Sequence, residues 1–499
     1  MEAETKNDLG VDEKRLHDDE QNEKAAEAAV LATPTKIAWD GPEDPSNPLN
    51  WPSSRKISIG IIISLGQLVC LMTTSIVAPA LPQIAKDLGL GASETQMSFS
   101  IFVLGQGIGS LFIGPLSEVF GRKPLWVSCT FFFILWNSLC PVGKSKVMLI
   151  IGRVLSGAGG SCGVILSGPI MADMYPKKDR GKSLAIASLF PYLGPALGPI
   201  VGGLVSQHVS WPWLFWVMSI FSAVIVIAGM LIIRESYKPI ILKHKADRLR
   251  TQGVMEAADA ESSPQSLLSK IGVSLSRPLR LLATRLVVQL LALILGLAFG
   301  TYVLVLSFFA RVFIDQYDQS ATSSSLQYIA IALGCTLSTQ TGGRLMDFIY
   351  ARLHTRQPEG APALPEFRVP ILLIGGLLLP AGLFWLGWSA QGHAHWIMVD
   401  IGALIFTAGD FLASQAALAY ILDEFPTHAA SAGAASRIVS NILGFTFPLF
   451  APQLYDRLGY GWGNSLLALI WIVVALPVSL AIWFWGNKIR RVGKSKKDE

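Results

Sequence analysis

The sequence predicts an all-α, polytopic membrane protein, with twelve transmembrane helices in two pseudo-symmetric six-helix bundles. Three observations predict it. Hydrophobic residues make up 51% of the 499-residue chain, charged residues 15%, and mean hydropathy is +0.47. A chain this apolar cannot hide its side chains in one soluble core. Apolar runs of about 20 residues, enough to cross a bilayer as a helix, recur along it. Finally, Lys and Arg concentrate in alternate loops between those runs.

Residues 1–55 are polar, with acidic stretches such as EAETKNDLGVDEKRLHDDE. They predict a disordered cytoplasmic tail without a cleavable signal peptide. Twelve spans follow near 57–80, 96–114, 125–142, 147–172, 183–204, 212–233, 286–308, 323–341, 369–388, 396–421, 432–454 and 465–486. We number them one to twelve. The basic cytoplasmic loop 234–285 separates an N-terminal bundle, 56–233, from a C-terminal bundle, 286–486. A basic tail, 487–499, closes the chain and reads as a stop against anionic lipid. With both termini cytoplasmic, the inner loops and C-terminal tail carry 26 Lys and Arg, and the outer loops carry 5. That asymmetry sets the orientation. Cys70, Cys129, Cys140, Cys162 and Cys335 all fall in apolar runs without paired spacing. They predict packing residues, with neither a disulfide frame nor a metal site.

The two halves repeat each other. GPLSEVFGRK (114–123) follows span two, and GRLMDFIYAR (343–352) follows span eight. Each has Gly, Leu two residues on and a carboxylate four residues on, Glu118 or Asp347. Asp173-Met-Tyr-Pro176 ends span four as Asp423-Glu-Phe-Pro426 ends span ten. Such duplication is common in secondary transporters, which hold substrate at the midplane between repeats.

Two more stretches stand out. Span four opens IGRVLSGAGGS (151–161), with Arg153 inside the apolar run. Span five reads SLFPYLGPALGPIVGG (188–203), placing Gly194, Gly198 and Gly202 four residues apart, with Gly203 next and Pro191, Pro195 and Pro199 in register. Glycines at that spacing share one face and let a neighbouring helix approach closely. Each proline removes a backbone hydrogen bond, so the expectation is a bent helix that packs without gaps.

With these motifs the chain resembles the major facilitator superfamily, and within it the fungal twelve-span drug:proton antiporters. The resemblance covers roughly residues 38–490 and begins with WDGPEDPSNPLNWP (39–52). It implies a conformational latch at Gly114, Glu118, Gly121, Arg122 and Lys123, repeated around Asp347 and Arg352, with Asp173 and Asp423 at the matching span ends. Glu118 and Arg122 are expected to form charge pairs that hold the outward-facing state. Gly114 and Gly121 are expected to permit tight turns and close helix approach. The resemblance also implies a role for Arg153 in proton transfer. A guanidinium does not release a proton at working pH, so Arg153 would tune a carboxylate or order water; the alternative is a snorkelling anchor near the inner interface. Gly194, Gly198, Pro199, Gly202 and Gly203 match the antiporter motif, which is expected to block leak through the centre.

Asp410 rests on burial alone, without a counterpart in the family pattern. It lies 13 residues before Asp423, about 20 Å at helical rise, and so near mid-membrane. A charged Asp there costs ~2.5–3.5 kcal/mol on insertion scales. It is the candidate for the coupling proton or a cationic substrate. Gln67, Gln106, Asn137, Tyr192, Gln289, Gln327, Tyr328 and Gln415 are candidate cavity residues, each equally readable as a packing contact.

The functional expectation is proton-coupled export of small amphiphilic compounds (drugs, toxins or secondary metabolites) by alternating access. The alternatives are an importer of a small metabolite and a non-transporting nutrient sensor. The partners are a small-molecule substrate, protons and the lipid bilayer, with no nucleic acid and a monomeric working unit. No GxxxxGK[ST] loop, catalytic triad, cofactor site or metal site is legible, which argues against an ATP-driven pump or an enzyme. The plasma membrane is the expected location, with the vacuolar membrane as the alternative.

Overall fold

The computed structural model describes residues 39–176, 190–251, 264–358, 364–425 and 429–493. The tail ahead of residue 39, the first residues of span five, the basic cluster 177–182 and the end of the basic tail lie outside them. So does Pro426. Among the described residues the chain is helical throughout, with no strand.

The twelve spans map onto helices in order. Spans one to six are Ser53–Ser75, Ala92–Phe120, Arg122–Leu139, Lys146–Met174, Gly194–His208 and Pro212–Ile232. Spans seven to ten are Leu286–Tyr317, Tyr328–His354, Val369–Gln391 and Trp396–Glu424. Spans eleven and twelve share Ala429–Arg491, broken at Gly459 where φ is 70° and ψ 176°. Among the described residues, eight helices are long and apolar enough to cross a membrane by themselves, counting that broken pair as one. Spans three, five and eight make up the remainder. Span eight falls short because Thr336, Ser338, Thr339, Gln340 and Thr341 dilute its apolar run. Several helices continue past their apolar runs. Span two extends to Phe120 rather than 114, so its polar end projects beyond the hydrocarbon layer.

Two helices, Lys238–Thr251 and Pro264–Thr284, occupy part of the stretch between spans six and seven. The segment ahead of span one folds against the first of them. Asp44 accepts backbone N–H groups of Asp40 and Ser46 at 3.0 and 2.8 Å, which holds its carboxyl below the usual range. Lys245 reaches both Asp40 and Asp44, and Lys238 lies over the Trp39 ring.

Span five departs from a simple bent helix. Pro191 opens a 3₁₀ turn, Pro191–Leu193, and Pro195 sits in the first turn of the helix that begins at Gly194. Neither therefore breaks an established helical ladder; only Pro199 lies in the helix interior. The glycine face packs on the end of span one. A Cβ at Gly194 would stand 2.7 Å from Leu71 Cβ, and one at Gly198 would stand 2.8 Å from the Met72 carbonyl oxygen. Ser75 Oγ donates to the Gly194 carbonyl at 3.3 Å across this seam. Gly203 faces the other half, with Ser325 Cβ 2.7 Å from where its own Cβ would be.

The halves meet at the outer end and part at the inner end. Span five packs on the short helix Ala321–Leu326 that precedes span eight, and Gln207 and Thr322 hydrogen-bond there. Ser93 and Gln453 share a second bond of 3.0 Å between spans two and eleven. Deeper in, spans two and eleven cross at Gly107, where an added Cβ would meet Asn441 Cβ at 2.8 Å. From that crossing a cavity runs along spans two, ten and eleven toward their inner ends, lined there by Ser110, Leu418 and Ser436.

Candidate functional site: a central cavity between the halves

The cavity measures about 380 Å³ and takes its walls from both halves: spans one, two, four and five, and spans seven, ten and eleven. Apolar aromatics form one side. Tyr302 meets Phe411 edge-on at 5.6 Å, Phe411 meets Tyr192 at 6.2 Å, and Phe299 stacks on Tyr302 at 6.3 Å. Such walls suit an amphiphilic ligand, and a few polar groups fix its orientation.

Asp410 lines this cavity, 4% exposed, and its Oδ1 has no hydrogen-bond partner. The hydroxyl of Tyr302, also in the wall, is likewise unpartnered. Two orphan polar atoms on one cavity are groups that a ligand, water or a proton satisfies. Arg437, on span eleven, is a second charged residue in the wall. The loop-based charge count passed over it, although it stands inside the eleventh apolar run by the same logic that singled out Asp410.

Of the eight polar candidates, Gln106, Tyr192 and Gln415 line the cavity. The other five do not. Asn137 is fully buried between spans three and six, donating to the Phe215 carbonyl at 2.7 Å and Ser219 Oγ at 2.9 Å. Gln67 donates to Ser167 Oγ at 2.9 Å between spans one and four. Tyr328 is fully buried and donates to the Leu306 carbonyl at 2.7 Å, pinning span eight to span seven. Gln327 bonds Gln319 at the outer end, and Gln289 is exposed beside the Ala283 carbonyl. A polar residue in a membrane helix has to satisfy its hydrogen bonds, and a neighbouring helix serves as well as a cavity.

Arg153 does not meet Asp410, and it does not snorkel. Span four enters from the outer side, so Arg153 stands two turns below the outer end and is fully buried. Its guanidinium donates to the carbonyls of Ser98, Thr73 and Phe99 at 3.2, 3.0 and 3.1 Å and stacks on Phe102 at 4.5 Å. No carboxylate pairs with it among the described residues. It staples span four to spans one and two.

Among the described residues, the inner-end ion pairs of Arg122 and Arg368 form within their own halves. Arg122 pairs with Asp173 at 3.3 Å, bonds Ser117 and lies over the Tyr237 ring. It does not pair with Glu118, which is exposed and has no ion-pair partner among the described residues. Helix geometry explains the choice: the chain turns at Gly121 (φ 96°) before Arg122, which points the guanidinium at the end of span four. Glu235 closes this turn, accepting the backbone N–H groups of Arg122 and Lys123 at 3.0 and 3.1 Å. It thereby caps the N-terminus of span three, where a carboxylate is favoured. Lys123 Nζ donates to the Met230 carbonyl. Burial, then the Glu118 carboxylate, pushes the Tyr237 hydroxyl above its ordinary range. Gly114 has open space around its Cα, so close approach there is not a feature of this state.

In the second half, Arg368 takes the role expected of Arg352. It binds Asp423 at 2.8 Å and Asp347 at 3.4 Å, while Arg352 is exposed. The signal was present as Arg122-Lys-Pro124 at the head of span three and Arg368-Val-Pro370 at the head of span nine. A further network joins Arg490 to Glu366 and Glu424, and Arg285 to Glu424.

The comparisons with known proteins agree with this architecture. A family model described as Major Facilitator Superfamily matches residues 63–448. The chain belongs to the major facilitator superfamily. It is 36% identical over 462 residues to the efflux pump vrtL of Penicillium aethiopicum, covering 92% of this chain and 91% of that one. It is 37% identical over 420 residues to the probable efflux pump mfs2 of Aspergillus flavus, covering 83% and 98%. Its fold matches the xylose transporter XylE from E. coli with a TM-score of 0.60 at 18% identity, covering 87% and 98%. This superfamily member is thus a multi-pass membrane transporter of small molecules, and its cavity lies between the two halves as in a transport pathway.

Proposed function

We propose that the protein is a proton-coupled efflux antiporter that exports small amphiphilic compounds by alternating access. The observation that carries this reading is the unpartnered Asp410 Oδ1 in the wall of an aromatic-lined cavity between the halves. The similarity to two proteins named as efflux pumps supports the direction. Substrate enters from the inner side, the halves 56–233 and 286–486 rock about the cavity, and a proton taken up at Asp410 resets the cycle. One proton crossing ~100 mV and one pH unit supplies about 3.7 kcal/mol. For a neutral substrate exchanged one for one, that sustains roughly a 500-fold gradient. The protein works as a monomer in the plasma membrane. Glu118 and Arg352, which have no ion-pair partner among the described residues, engage when the inner end closes.

The test uses cells lacking their own efflux pumps, loaded in turn with rhodamine 6G, Nile red and fluorescein, with and without a protonophore. Lower accumulation of at least one dye is expected, abolished by the protonophore and by Asp410→Asn at normal expression. Export that persists with its pH dependence intact in Asp410→Asn rules out the proton role, and raised accumulation indicates an importer.

A further inference from the structure

The geometry points to Arg437 as the site that binds an anionic group of the substrate, making the transported compounds amphiphilic organic acids. This deepens the efflux reading and rests on it for the identity of the cavity. Arg437 lines the cavity and is exposed, and among the described residues its guanidinium has no hydrogen bond or ion pair. Asp410 lines the same cavity without pairing with it. An unpaired guanidinium inside a membrane span is costly, and such residues face a water-filled path or a partner.

Apart from the unpartnered Tyr302 hydroxyl and Asp410 carboxylate, several polar groups of the wall are engaged elsewhere. Ser436 and Ser440 donate to their own helix at Gly433 and Ser436, and the Asn441 amide donates to the Arg437 carbonyl. Gln106 donates to Cys70 and Thr74, and Gln415 donates to Thr339. That leaves the guanidinium as the strong free donor, in a planar fork that matches a carboxylate. The facing wall is the aromatic cluster of Tyr192, Tyr302 and Phe411, which suits a flat ring system. A cavity of about 380 Å³ holds one such molecule. A hydroxyl at the ligand's other end would donate to ionised Asp410, and this is the contact that a proton displaces. An anion also leaves a negative-inside cell with the membrane potential, so the same exchange reaches a steeper gradient than for a neutral compound.

The test is equilibrium binding to the purified full-length protein in detergent, by titration calorimetry. The probes are 2-naphthoate and anthraquinone-2-carboxylate, each against its methyl ester, which keeps the ring system and removes the charge. Binding of each acid is expected to be roughly 10- to 100-fold tighter than of its ester, the size of a charge-assisted hydrogen bond. Arg437→Gln should reduce that preference to about threefold or less, and Arg437→Lys should retain part of it. Acids that bind no better than their esters overturn the proposal, as does an acid preference that survives in Arg437→Gln. Should the Gln variant not fold, the Lys variant decides: full wild-type preference there means the fork is not the recognition element. Because this assay needs no gradient, it is independent of the dye-export experiment, and either reading fails without the other.

Discussion

Replacing Arg153 with alanine separates two readings of that residue, as a staple and as part of a proton pathway. The guanidinium makes three hydrogen bonds of 3.0–3.2 Å to backbone carbonyls and is fully buried. Thr73 sits in the last turn of span one, where helix carbonyls run out of helical partners, so its bond counts in full. A lost charge-assisted bond to such a group costs about 1.5–3 kcal/mol. Ser98 and Phe99 lie inside span two, so their carbonyls keep a helical partner and lose less. Adding the void left beside Phe102, Arg153→Ala should cost about 3–5 kcal/mol. At roughly 2 °C per kcal/mol for a large helical protein, Tm falls by about 6–10 °C. The assay is thermal unfolding in detergent, with Arg153→Lys intermediate because an ammonium cannot reach all three carbonyls. A variant with wild-type Tm that has lost proton-driven transport would refute the staple and restore the proton role.

The outer closure is testable by cross-linking. Gln207→Cys paired with Thr322→Cys should form a disulfide, stop transport and leave the inner cavity open to ligand, with reduction restoring turnover; transport that continues in the oxidised form would contradict the placement of this contact. The inner charges give a paired comparison. Arg368→Ala should reduce Tm by a few degrees, because it removes ties to Asp423 and Asp347, whereas Arg352→Ala should leave Tm unchanged and alter turnover only.

The bilayer made most of the architecture readable. Apolar run length and loop charge report the solvent directly, so span number and orientation follow from composition. What the sequence withheld depends on which way a side chain points. Gln106 and Asn137 look alike as polar residues in apolar runs, yet one faces the cavity and the other a neighbouring helix. The family resemblance implied a proton role for Arg153, tuning a carboxylate or ordering water; its partners here are backbone carbonyls, which carry no residue signature. Glu235 was invisible for the same reason, since it binds backbone N–H groups 112 and 113 residues away. Arg437 and Arg368 were legible and missed. The first is a charge inside a span, the second an Arg-x-Pro repeated at the heads of spans three and nine.

The distribution of contacts also says why this state can alternate. Inside each half the helices are tied by buried staples and ion pairs, Arg153 and Asp173–Arg122 in one, Arg490–Glu366 and Arg368–Asp423 in the other. Those ties need not break if the halves rock as proposed, so each half would move as a body. The polar part of the closure between halves is slighter, two side-chain hydrogen bonds beside the packing of span five on Ala321–Leu326 and of span two on span eleven. Neutral bonds of this kind contribute about 0.5–1.5 kcal/mol each. Glu118 and Arg352, both exposed at the inner end, would offer about 1 kcal/mol or less if paired on the proposed mechanism. The polar contacts at both ends would thus bias the equilibrium by a few kcal/mol without fixing it. A ligand shifts such an equilibrium only by its difference in affinity for the two states. On the proposed mechanism, occupancy of the cavity by substrate at one step and a proton at the next would be large enough on that scale to choose the direction in which the halves move.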